Sequence, residues 1–251
     1  MSIEELREHY RRVWNESSGH GERMAFIEAL VEHHDREHLE FHFSLLEDRT
    51  HFYFYCSIRS ALTDHGLAAE AMLVEKFRTE KRPLLRGDAL QLLGHLQSSY
   101  TREFALEAIE SDHEDLRYRG VIVLGWVGTP RDMTTALRDR LFQDSSAFVR
   151  GNAATAFRQV WYRHQDVDED AVPLLGEALA KEEDQEAVFC IVAVLQTIMS
   201  RRFGVRELDG EDEDFAGDPW AAKARALAVL EDQLSGEWIA SSRGGHRSER
   251  E

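Results

Sequence analysis

LRGDALQLLG at 85–94, LRYRGVIVLG at 116–125 and VRGNAATAFR at 149–158 align without a gap, and what they share decides the fold. Each opens with an aliphatic residue and an arginine: Arg86, Arg117 and Arg150, spaced 31 and then 33 residues apart. Three positions after the arginine stands a small residue (Ala89, Gly120, Ala153), and seven after it a large one (Leu93, Leu124, Phe157). Positions three and seven apart share one helical face, so each stretch reads as a helix with a narrow spot beside a bulky one. A pattern recurring at a fixed period is the mark of a repeat architecture.

Outward from these stretches the helical period continues. TREFALEAI (101–109) and TTALRDRLF (134–142) precede the second and third motifs and end in the polar turns SDHED and QDSSA. Each period is therefore a helix, a turn and a second helix. GERMAFIEALVEH (21–33), AAEAMLVEKF (68–77), DAVPLLGEALA (170–180) and AAKARALAVLEDQL (221–234) space their apolar residues in the same way. HFYFYC (51–56) has strand-like aromatics, but no second strand is evident to pair with it, and it is read as a helix start. The four prolines, Pro83, Pro130, Pro173 and Pro219, are expected at or near helix boundaries.

The Val/Leu-Arg pair, the small residue at plus three, the Leu-Gly at plus seven and eight and a preceding Asp115 or Asp144 resemble the HEAT-repeat family. The resemblance is closest to its short bacterial repeats of the phycobilisome-lyase type. It covers about residues 65–163, and a weaker unit without the arginine, with Glu186 near its place, continues to about 200. It implies an all-α, right-handed α-solenoid of HEAT-like helical hairpins. The arginines would bond acidic side chains in the turns, and the second helices would line a concave face. The expected organisation is an N-terminal helical cap over 1–64, repeats over 65–203, an exposed acidic loop over 204–218, a helix over 219–236 closed by Gly236, and a disordered tail over 237–251.

Composition narrows the function. The net charge of −17, from 47 acidic and 30 basic residues, argues against a nucleic-acid or anionic-membrane ligand, because both need clustered Lys and Arg. Cys56 and Cys190 stand far apart, each in an apolar segment, which argues against a disulfide framework or a Cys-based zinc site. The start of the chain has no apolar signal core, and a cytoplasmic protein, monomeric when free, is expected. Catalytic motifs are missing: no nucleophile elbow, phosphate loop or dinucleotide fingerprint occurs. No catalytic residue and no cofactor are expected.

HHDREHLEFH (33–42) raises the question of a metal. His34, His38 and His42 would form one row on a continuous helix, but three consecutive turns suit one ion poorly. A solvated helix face is the preferred reading, no metal is expected, and His34 with His38 is the residual candidate pair.

The acidity is concentrated. Residues 164–218 hold 16 acidic and 4 basic residues, net −12, whereas 1–163 net −5. Because only 4 of the 30 basic residues are lysine, a salt-adapted surface is one reading; clustering favours the other, a binding face for a basic protein. The expected contact residues are the aromatics Trp126, Trp161 and Tyr162, which end or line second helices, and the carboxylates Asp166, Asp168, Glu169, Asp170, Glu211, Asp212, Glu213 and Asp214. A non-catalytic interaction scaffold follows, with an immunity protein against a basic bacterial toxin as one specific form. The alternatives are a cofactor-presenting, lyase-like chaperone, which needs exposed apolar residues on the concave face, and a helical DNA glycosylase, which needs a basic strip there.

Overall fold

A computed structural model describes residues 1–14, 19–164, 166–208 and 215–244, with side chains to 232. The chain forms two compact units, Met1–Val123 and Leu124–Glu251. The fold class is all-α, built of successive helical hairpins as in an α-solenoid.

The first unit holds α1 (Ile3–Val13), α2 (His20–Val31), α3 (Arg36–Ser44), α4 (Phe52–Ala61), α5 (Leu67–Thr79), α6 (Pro83–His95) and α7 (Thr101–Ala108). The next helix, α8 (Glu114–Val127), runs across the division. The second unit continues with α9 (Pro130–Asp132), a π turn (Met133–Leu137), α10 (Arg138–Gln143), α11 (Ala147–Arg163), α12 (Asp168–Lys181) and α13 (Gln185–Ile198). It closes with strands β1 (Val205–Glu207) and β2 (Phe215–Gly217) and helix α14 (Pro219–Gly244). HFYFYC does start a helix, α4. Among the described residues no helix is long and apolar enough to cross a membrane.

Local chemistry sets the helix ends. Ser2 and Glu5 close a capping box on α1, Thr129 and Asp132 another on α9, and the side chains of Asp35, Ser146 and Asp184 cap α3, α11 and α13. Pro83, Pro130 and Pro219 occupy first-turn positions, where their missing N–H costs nothing. Pro173 does not fit the boundary expectation, because α12 begins earlier, at Asp168, and carries the proline inside. Three carboxylates in the first turn of α12 favour the early start through the helix dipole.

The repeat positions do what their sizes demand. Ala89 and Ala153 are fully buried, as are Leu93, Leu124 and Phe157. At Gly120 a Cβ would lie 2.8 Å from both the Ile109 Cγ2 and backbone N atoms and 2.9 Å from the Ala108 Cβ, so α7 and α8 touch at a spot only glycine allows. Gly120→Val is expected to destabilise the protein by about 1–3 kcal/mol, since neighbouring backbone must move. An unchanged urea midpoint would contradict this tight contact.

The arginines tie each hairpin together. Arg86 donates to the Phe77 carbonyl at 2.9 Å and to Glu107 at 2.8 Å, and Arg117 donates to the Ser111 and Asp112 carbonyls at 3.1 and 3.2 Å. Arg150 donates to the Asp144 carbonyl at 2.9 Å and forks onto both Glu182 oxygens at 2.7 and 2.8 Å. Helix-end carbonyls left without intrahelical partners thus gain donors, and a carboxylate balances the charge of Arg86 and of Arg150.

The acidic stretch 204–218 is not simply a loop. β1 pairs antiparallel with β2, Val205 opposite Gly217 and Glu207 opposite Phe215. The ribbon is held by Gln196, whose side-chain oxygen accepts from Phe203 N at 2.6 Å and Gly204 N at 3.0 Å and whose amide donates to the Val205 carbonyl. Phe215 stacks on Phe189 at 5.1 Å. Gly204 and Gly217, at φ 100° and 116°, supply turns that a Cβ would strain. Residues 209–214 between the strands lie outside the described residues. The last helix passes through Gly236, where closure was expected, and of the expected disordered tail 245–251 lie outside the described residues.

Candidate protein-binding surface

Within the second unit, the end of α11 and the start of α12 bring several expected contact residues together. Tyr162 is 58 % exposed, its ring 5.2 Å from that of Trp161. The Trp161 indole N–H donates to Asp168, which fixes the half-buried ring beside the acidic turn. Asp166, Glu169 and Asp170 are exposed in the same turn. Trp126 is half-buried near the end of α8, where Arg163 donates to the carbonyls of Gly125 and Gly128 at 2.6 Å each. Glu211, Asp212, Glu213 and Asp214 lie outside the described residues.

Part of the acidity of residues 164–218 is absorbed by the fold. Glu182 is nearly buried under the Arg150 fork, which holds its carboxyl below the usual range against the effect of burial. Glu177 pairs with Lys181 and Glu207 with Arg158, both at 2.7 Å. A groove of about 280 Å³ opens beside the Arg150–Glu182 pair, lined also by Phe142 and Lys181.

Two clusters in the first unit were not anticipated. Asp88, on α6, has no exposed surface, and three arginines converge on it: Arg49 at 2.5 Å, Arg59 at 3.7 Å and Arg119 at 4.0 Å. The Tyr55 hydroxyl donates to the same carboxylate at 2.7 Å, and Gln91 accepts from Arg59 and Arg119. Burial pushes the Asp88 carboxyl upward, against the pull of the arginines. Asp88 and Arg119 occupy the same position of successive repeats, two after the motif arginine, which is the signal that could have exposed the pair.

The second cluster concerns the histidines. The expected row supposed one helix, but α2 ends at Val31 and α3 starts at Arg36, so His34 lies in the turn and not in line with His38. His34 meets His65 at 2.9 Å, His65 meets His42 at 3.0 Å, and His42 reaches the Ile58 carbonyl at 2.8 Å. This chain runs from the surface to a fully buried ring, and burial pulls His42 down to about 3 and His65 to about 4. His38 instead faces Asp35, its Nδ1 2.7 Å from a carboxylate oxygen that raises its pKa.

No curated protein matches the chain. Residues 70–158, from within α5 to within α11, match the family model of HEAT repeats, hairpins that commonly serve as protein-interaction scaffolds.

Proposed function

We propose that the chain is a non-catalytic interaction scaffold that grips a basic protein through the turn joining α11 to α12. The observation that carries this is the juxtaposition of exposed Tyr162 and anchored Trp161 with the exposed carboxylates Asp166, Glu169 and Asp170. A rigid aromatic pair offers ring faces to Arg or Lys side chains, and carboxylates beside it add attraction and reject acidic competitors. The net charge of −12 over 164–218 extends the attractive field. Inhibition of a basic toxin by an immunity protein is the narrower form of this reading, supported by charge and by the scaffold class.

The test is affinity capture from the native organism at low and high salt, with the wild type and two variants, Tyr162→Ala and the triple Asp166→Asn/Glu169→Gln/Asp170→Asn. One basic protein should be retained at low salt and lost as salt rises, and each variant should weaken its binding about tenfold or more. Equal capture by both variants would discard this surface. Recovery of nucleic acid or a chromophore in place of a protein would discard the scaffold reading.

A further inference from the structure

The segment between α2 and α3 places His33 in the turn, Asp35 at the N-cap and His38 in the first turn of α3. One ligand atom from each of the three lies within 4.8 Å of the others, and the two imidazole rings are 4.5 Å apart. Asp35 divides its work: Oδ1 accepts from the Glu37 and His38 amides at 3.1 and 3.2 Å, and Oδ2 is left facing His38.

His38 needs either a second proton or a metal ion beside its Nδ1. Its Nε2 lies 3.1 Å from the Met1 carbonyl, an acceptor only, so that nitrogen carries a hydrogen. In a neutral ring Nδ1 is then a lone pair, and it stands 2.7 Å from a carboxylate oxygen, also an acceptor. Nδ1 is buried and makes no hydrogen bond of good geometry there. Two acceptors at that distance repel unless a positive charge lies between or beside them. At His33 the Met1 ammonium sits 2.7 Å from Nε2 and is the cation a metal ion would displace there, with Glu32 4.0 Å from the same atom. Arg36, the cation next in sequence, is turned to Glu40 and Glu75.

We propose that His33, Asp35 and His38 bind a divalent transition-metal ion of the zinc class. Two imidazoles and one carboxylate are borderline donors that suit zinc, nickel or copper better than magnesium or calcium, and three protein ligands leave a position for water. The hydrogen bond from His38 Nε2 to a backbone carbonyl is the outer contact that orients a metal-binding imidazole.

Metal-stripped full-length protein titrated with zinc chloride at neutral pH should bind one equivalent by calorimetry, with no heat from magnesium chloride. His33→Ala and His38→Gln should each weaken binding at least about tenfold. His34→Ala and His113→Ala, which leave the three ligands intact, should not. Circular dichroism of each variant separates lost ligation from lost folding. Absence of zinc binding by the wild type would show that a proton alone bridges His38 and Asp35, and overturn the proposal. So would binding that survives His33→Ala combined with His38→Gln, or that is lost with His34→Ala.

Discussion

Asp88→Ala is expected to lower the stability of the first unit by about 3 kcal/mol, the largest effect of any single side chain considered. The substitution removes a carboxylate with no exposed surface and leaves Arg49, Arg59 and Arg119 with one shared neutral acceptor, Gln91, for the last two. Uncompensated buried charge costs about 3–5 kcal/mol, and the lower end applies because the three arginines keep 16–26 % of their side-chain surface in contact with water. The Tyr55 hydroxyl loses its acceptor as well. Asp88→Asn keeps the shape and one oxygen, and should cost less. Urea unfolding combined with hydrogen exchange of the α6 amides measures both. An alanine variant within about 1 kcal/mol of the wild type would mean that the arginines find other partners, and that the cluster is not a structural unit.

Acidification should produce the second large effect, and its sign follows from the histidine chain. His42 and His65 titrate in the fold at about 3 and about 4, against about 6.5 in an unfolded chain. Above pH 6.5 both states are neutral and the groups contribute no pH dependence. Below it the unfolded chain takes up protons that the folded one refuses, and stability falls by up to about 1.4 kcal/mol per pH unit for each histidine. Between pH 7 and pH 5 the loss should reach about 2 kcal/mol for each. His38 acts in the opposite sense, since its raised value makes its protonated form the one the fold prefers. The lowered carboxylates Glu80 and Glu182 release their contribution only below the usual carboxylate range, outside this window. His42→Gln should flatten the slope of stability against pH by about one proton, measured by urea titrations at four or five pH values. A slope unchanged by that substitution would show that the buried pair does not govern the acid limb.

The repeats were legible because their determinants are local and periodic. An arginine, a small residue and a large residue at fixed offsets report a helix face whatever lies opposite, and Ala89, Gly120, Ala153 and Leu93 are buried as their sizes suggest. The Asp88 cluster was harder to see, because Arg49 and Arg59 lie 39 and 29 positions upstream and nothing in their own segment announces a partner. The histidine row failed for a different reason. Asp35 caps a new helix, and a break between α2 and α3 sends His34 to His65 and His38 to Asp35. The sheet ribbon was missed because three-residue strands carry too little pattern, and Gln196, which holds it, sits on another element.

Sequence alone thus determined the helical class, the hairpin period and the concentration of acid beyond residue 163, all of which depend on residue type and near-neighbour spacing. Only the tertiary structure decided which charges the fold consumes and which it leaves to solvent. It turned Glu182 inward to Arg150 and Asp88 inward to three arginines, and left Asp166, Glu169, Asp170 and Tyr162 outside. The physical reason is that a charge is neutralised or free according to what lies within a few ångströms of it, and that distance is set by helix packing rather than by position along the chain.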